Sequence, residues 1–212
     1  MKPSYYRTRY SFDPGRKAVW RAIVEHLQRR FFPGREIAVV DLGCGYGDFV
    51  NLVKAHQRFA VDVEDVSSYL ESDIHFLHQD LTNLSPIEDS AVEVVFSSNV
   101  FEHLTKPQLN ILMSEVRRIL KPGGLLILIQ PNFRFCYRNY FDDYTHETVF
   151  SDISLSDFVR SQGLEIRSVK PRFLPFSMKS LIPKSYFLTK IYLSLGVPFM
   201  GKQMLVVAQK GE

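Results

Sequence analysis

Cysteine is nearly absent from this chain: Cys44 and Cys136 are the only two in 212 residues. Two cysteines cannot build the multi-bridge framework of a small secreted domain, so a reducing, cytoplasmic setting is expected. Long apolar runs are missing too. No stretch approaches the ~20 residues a membrane-spanning helix requires, and residues 1–6 hold no apolar signal core. Neither charge sign dominates: 26 Lys and Arg against 23 Asp and Glu leave a formal +3, too mild to imply a nucleic-acid partner. Internal repeats and low-complexity tracts are also lacking. What remains is an ordinary globular composition, 45% hydrophobic and 23% charged, at a length that suits one domain with one sizeable core.

Against that background one stretch stands out, Val39-Val40-Asp41-Leu42-Gly43-Cys44-Gly45-Tyr46-Gly47-Asp48-Phe49. A buried strand over 37–40 is expected to enter a glycine turn and then a helix starting near Asp48. Glycines so dense belong where backbone turns tightly and approaches a ligand. The Gly-x-Gly-x-Gly spacing is not the Gly-x-Gly-x-x-Gly that cradles a dinucleotide pyrophosphate. Asp41 also puts a carboxylate where phosphate would meet N–H donors. An acidic turn suits a ligand with ammonium and sulfonium groups instead. Four further signals follow at regular spacing. Asp62 ends an apolar run at 58–62, nineteen residues after Gly43; Asp80-Leu81 follows a run at 74–79; Asn99 follows a run at 92–98; and Leu120-Lys121-Pro122-Gly123-Gly124 precedes a run at 125–130.

Together these features resemble the class I S-adenosylmethionine-dependent methyltransferases over about residues 36–170. The resemblance implies S-adenosyl-L-methionine as cofactor, S-adenosyl-L-homocysteine as product, and a Rossmann-like, doubly wound, seven-stranded, mostly parallel sheet. It also implies roles. Asp41, Gly43, Cys44, Gly45 and Tyr46 would set the turn around the methionine end, with Asp41 otherwise a structural cap. Asp62 would accept from the ribose hydroxyls, Asp80 and Leu81 would flank adenine, and Asn99 would line the methionine end.

Periodicity organises the rest as α/β. Asp13-Pro14 opens a helix to about Phe31, a second helix covers 107–120 with a Pro-Gly-Gly stop, and a third covers 154–162 with Gly163 as cap. Strands are expected at 164–169 and 204–209. The chain divides into an N-terminal arm and helix (1–35), a cofactor-binding core (36–170), a lid-like helical and aromatic insertion (171–202) and a last strand (203–212). In the resembled family an arm such as the Tyr- and Arg-rich segment Tyr5, Tyr6, Arg7, Arg9 and Tyr10 can fold over the site; the alternative is a frayed end. The insertion holds Arg172, Lys179, Lys184, Lys190 and Lys202 with no Asp or Glu, among many aromatic and aliphatic residues. That composition fits a lid or a peripheral membrane contact, and equally an extra helical layer with solvated lysines.

On the acceptor side, Asn99-Val100-Phe101-Glu102-His103-Leu104 offers His103 as a base or as a structural partner of Glu102. Phe141-Asp142-Asp143-Tyr144-Thr145-His146 offers an Asp143–His146 pair. No metal is assigned, because Asp142, Asp143 and His146 in one loop are too little to define a site. Arg134, Arg138 and Arg172 could grip an anion. The segments 130–134, 141–144 and 172–176 look like those of bacterial methyltransferases of surface-polysaccharide assembly. The expected acceptor is therefore a hydroxyl on a small molecule or saccharide, nucleotide- or lipid-linked. Nucleic acid is not expected, because the Asn/Asp-Pro-Pro-Tyr/Phe turn that grips a flipped base is missing after the fourth strand. The alternative from another class is a regulatory or scaffold protein that binds the cofactor without transfer. The oligomeric state is left open.

Overall fold

Successive strand residues alternate between two apolar layers, and both layers are covered. In β1 (Ala38–Leu42), Ala38, Val40 and Leu42 pack to one side while Val39 packs to the other. The same split recurs in β4 (Val92–Ser98), β5 (Leu120–Pro131) and β7 (Gln203–Lys210). A sheet buried on both faces dictates such continuous apolar runs. With β2 (Gln57–Asp62), β3 (His75–His78) and β6 (Leu164–Leu174), the sheet has seven strands in the order β3-β2-β1-β4-β5-β7-β6. Strands β1 to β5 pair in parallel, and β7 runs antiparallel to both β5 and β6. The structure, a computed structural model, describes residues 12–32, 34, 36–175, 184–195 and 201–212. The arm with Tyr5, Tyr6, Arg7, Arg9 and Tyr10 lies outside the described residues, as do Phe176, Lys179, Leu181 and Ile182 of the insertion.

On one face lies α1 (Arg16–Phe31), burying Trp20, Ile23, Val24 and Leu27. On the other lie α2 (Lys106–Ile119) and α4 (Asp152–Ser161), which bury Leu109, Leu112, Met113, Val116, Leu155 and Val159. Between them in sequence is α3 (Phe133–Cys136), a single turn. Both longer helices start with capping boxes: Thr105 with Gln108, and Ser151 with Ser154. In the insertion, α5 (Tyr186–Leu195) packs on α1. There Tyr186 Oη donates to Glu25 Oε2 at 2.5 Å, and Lys184 pairs with Asp13.

Three expected boundaries shift. No helix forms at Asp48; residues 45–52 are consecutive turns, in which Gly47 N–H donates to Cys44 O and Asn51 N–H to Gly47 O. Positive φ at Gly45 (54°) and Gly47 (75°) breaks the helical path, and the Asn51 side chain turns aside to Tyr69 O and Glu71 N–H. The fifth strand begins at Leu120, not 125, because Leu120 already pairs with Val92. The Pro-Gly-Gly segment is absorbed as an irregularity between Val92 and Val94, with Gly123 at φ 74°. The sixth strand runs on to Leu174, which pairs with Gln203, so the insertion begins inside a sheet strand.

Sheet order reverses between β1 and β4, and the crevice beyond their carboxyl ends is where open α/β sheets take ligands. Asp41, Asp62, Asp80 and Asn99 all sit at or just past such ends.

Candidate active site

The glycine turn hangs on β2. Gly43 and Cys44 N–H both donate to Val61 O, at 2.8 and 3.1 Å. Gly45 N–H donates to Asp62 Oδ2 at 2.9 Å, and Glu64 N–H to Asp62 Oδ1 at 3.1 Å. Asp62 is thereby fixed and buried at the strand's end. Gly43 has φ 69°, and a Cβ there would lie 2.4 Å from Val100 Cγ2; at Gly47 it would lie 2.4 Å from Asn51 Nδ2. Both glycines are required by backbone angle and by space together.

Asp41 is buried beneath the turn and receives the Val50 backbone N–H. Burial raises its pKa well above the ordinary carboxylate value, and Asp62 and Asp48 push it the same way. Cys44 is buried, which raises its thiol pKa. Arg16 at the start of α1 pairs with Asp48 at 2.5 Å and so ties the helix to the turn. Tyr46 stacks edge-on with Tyr69 (4.7 Å between centroids) and with Phe12 (5.5 Å). Asp80 is exposed and closes a local turn on Thr82 N–H and Oγ1, while Leu81 is buried in the core. Asn99 has φ 55°, unusual for a non-glycine residue. It is held by its N–H to Ile129 O and by Gln203 Nε2 donating to its Oδ1. Strain of this kind gathers at sites where a side chain must be aimed.

Past Asn99, a 3-10 turn over Phe101–His103 carries two titratable side chains. Glu102 is 2% exposed, and burial pushes its carboxyl up to about 8. The segment after α3 is laced onto this turn. Glu147 and Thr148 N–H both donate to Glu102 O, and Thr148 Oγ1 donates to Leu104 O. His146 stands with its ring 5.0 Å from His103 and 4.5 Å from Tyr140, whose hydroxyl donates to Thr148 O. Thr145 Oγ1 donates to Asp143 Oδ1 at 2.6 Å and lies 2.9 Å from His103 Nδ1. Having given its hydrogen to the carboxylate, Thr145 can only accept from the ring, so Nδ1 carries the proton and Nε2 the lone pair. Burial, and then the neighbouring His146, pulls His103 down to about 4, while Asp143 opposes this. His103 is therefore neutral at physiological pH, and a weak proton acceptor.

The three acceptor-side candidates are thus brought together. Asp143 supports His103 through Thr145. Of the loop arginines, Arg134 bonds buried Asp152 and lies 5.6 Å from the Phe135 ring, Arg172 stacks 3.8 Å over that same ring, and Arg138 is exposed beside Tyr137. Two residues escaped the sequence reading. Thr145 could have been found from its place between Asp143 and His146. Buried Gln130 at the end of β5, whose amide O and N have no partner among the described residues, left no local signal. A concavity of about 410 Å³ lined by Thr82, Glu115 and Arg118 lies elsewhere, and its arginine is engaged by Glu115, Asp89 and two carbonyls.

Residues 40–128 match a family model described as "Methyltransferase domain". Among curated proteins, the chain is 27% identical over 161 residues to an uncharacterized protein of Methanocaldococcus jannaschii, covering 72% of this chain and 66% of that protein. It is 27% identical over 118 residues to demethylmenaquinone methyltransferase of Staphylococcus saprophyticus, covering 48% of this chain and 50% of that enzyme. The chain thus spans about two-thirds and one-half of these relatives' lengths. A S-adenosylmethionine-dependent methyltransferase of Archaeoglobus fulgidus superposes with TM-score 0.63 at 20% identity, over 90% of this chain and 94% of that one. The fold is that of solved S-adenosylmethionine-dependent methyltransferases, and residues 40–128 match a methyltransferase domain.

S-adenosyl-L-methionine is the cofactor they imply, and the acidic glycine turn is compatible with it. Gly43 and Gly47 leave no room for a Cβ against Val100 and Asn51, so the turn packs closely over the strand ends. Asp41 and Asp62 bring two buried carboxyl groups to that turn, where a dinucleotide site would offer phosphate-binding amides.

Proposed function

We propose that the protein transfers a methyl group from S-adenosyl-L-methionine to a hydroxyl on a small molecule or saccharide. In this reading Asp41, Gly43, Cys44, Gly45 and Tyr46 shape the methionine end of the cofactor site, with Asn99 beside it. Asp62 receives the ribose diol, and Asp80 and Leu81 border the adenine. When bound, the cofactor supplies a methyl activated by its sulfonium sulfur, ready for in-line displacement. The chain's own task is to align the acceptor oxygen and relieve it of its proton.

The observation that supports hydroxyl chemistry is the assembly of Glu102, His103, His146 and Asp143 beside the glycine turn, with Val100 linking the two halves through its contact with Gly43. An alcohol keeps its proton near neutral pH and needs such a group, whereas an amine acceptor does not. Asp143, acting through Thr145, fixes the His103 tautomer so that its lone pair is on Nε2.

A lipid-linked acceptor is favoured by α5. Its inner side holds Leu193 and Tyr192 against the core, while Phe187, Ile191 and Leu195 are 73%, 55% and 67% exposed. Exposed apolar side chains near Lys190 suit an anionic membrane surface. Turnover against a panel of free, nucleotide-linked and lipid-linked saccharides, read as S-adenosyl-L-homocysteine release, tests the proposal. Acceptor-dependent release is the expected result. Cofactor binding without release on any hydroxyl acceptor would favour a regulatory or scaffold protein.

A further inference from the structure

We infer that Glu102, His103 and His146 form a binding site for a divalent transition-metal ion on the acceptor side of the glycine turn. The inference deepens the methyl-transfer reading and rests on it for the ion's use, though not for its binding.

One ligand atom from each residue lies within 4.8 Å of the others, although 43 positions separate His103 from His146. An ion about 2.1 Å from three donors spaces them roughly 3.0–3.4 Å apart, so binding would draw the three atoms closer together than the 4.8 Å limit within which they now lie. Glu102 supplies the independent sign of a ligand. Its Oε2 is fully buried and has no hydrogen-bond partner among the described residues. Buried polar atoms are almost always satisfied, and a cation would satisfy this one.

The support around the cluster is of the kind that metal sites use. A ligating histidine commonly donates its second ring N–H to an oxygen acceptor that fixes the ring's orientation. His103 Nδ1 does this with Thr145, and Thr145 with Asp143. The two ligand-bearing segments are fastened by Glu147 and Thr148 N–H on Glu102 O. The ring of Tyr140 backs His146. Two imidazoles and one carboxylate favour Mn²⁺, Co²⁺ or Zn²⁺ over Mg²⁺ and Ca²⁺, which prefer all-oxygen sets. Three protein ligands leave coordination positions open for an acceptor hydroxyl, whose acidity rises beside a cation. That oxygen gives its proton to water and forms the new O–C bond. As that bond forms, the C–S bond of the sulfonium donor breaks in the same step, and its electron pair stays on sulfur.

The chelator-treated 212-residue chain is titrated with Mn²⁺, followed by its free-ion paramagnetic resonance, and with Co²⁺, followed by its visible absorption. S-adenosyl-L-homocysteine binding is measured by calorimetry on the same samples. One ion per chain with nitrogen-ligand Co²⁺ bands is expected, with Mg²⁺ competing at least about tenfold less well. Glu102→Gln and His146→Gln should each weaken Mn²⁺ binding by about tenfold or more and leave S-adenosyl-L-homocysteine affinity unchanged. Mn²⁺ and Co²⁺ uptake that is absent, or equal in wild type and both variants, overturns the site. The Co²⁺ spectrum of the wild type decides the matter even if both variants misfold. Ion binding without S-adenosyl-L-homocysteine binding would retain the site and sink the methyl-transfer reading.

Discussion

Gly43 shows how much of this protein's chemistry depends on a missing side chain. With φ 69° and Val100 Cγ2 2.4 Å from where a Cβ would sit, Gly43→Ala meets both backbone strain and a collision. We expect a loss of about 1–3 kcal/mol in urea unfolding, together with weaker S-adenosyl-L-homocysteine binding. Gly211→Ala, where a Cβ would have no neighbour within 4 Å, is the neutral control. Asp62 makes a second test at this scale. Both its oxygens accept backbone N–H groups from the turn and the following loop, so Asp62→Ala should remove the proposed ribose acceptor and loosen Gly45. A drop of at least tenfold in S-adenosyl-L-homocysteine affinity, about 1.4 kcal/mol, is expected by calorimetry. An unchanged affinity would take Asp62 out of the site. The glycines and acidic strand ends were legible in sequence because their spacing is local. The Thr145 relay was not, since it needs two loops 42 positions apart to meet.

Elements were legible where one pattern governed them and blurred where two competed. The strand cores and the apolar stripe of α2 follow simple periods, and they appear where expected. The helix expected at Asp48 is missing because glycine angles and the Asn51 side chain override an otherwise plausible start. Pro122 and Gly123 suggested a loop, yet cross-strand pairing from Leu120 carries the strand through them. Helix α1 also has a pH dependence of its own. His26 packs against Phe173, and burial, aided by the charges of Lys170, Arg29 and Arg30, lowers its pKa to about 4. A solvated histidine titrates near 6.5. Between these values the unfolded chain binds the extra proton, so this contribution is complete above about 6.5 and fades as pH falls toward 4. Urea midpoints from pH 7 to pH 4.5 should fall less in His26→Gln than in wild type. Equal falls would assign the acid sensitivity to other groups.

For the whole molecule, the sheet reversal, the turn on β2 and the laced segments beyond β4 and β5 gather the candidate cofactor and acceptor residues at one end. The insertion adds α5 to the α1 face, with Phe187, Leu188, Ile191 and Leu195 turned outward. If that surface meets a lipid-linked acceptor, binding to anionic vesicles should weaken steeply with salt, and again when Arg172, Lys179, Lys184, Lys190 and Lys202 are neutralised. Salt-insensitive lack of binding would leave α5 as a packing layer. The account as a whole turns on which ligand the acidic glycine turn accepts. Calorimetric titration with S-adenosyl-L-homocysteine and, separately, NADH tests that most directly. Saturable one-to-one binding of the first and no heat from the second is predicted; saturable NADH binding with no response to S-adenosyl-L-homocysteine or S-adenosyl-L-methionine would contradict it.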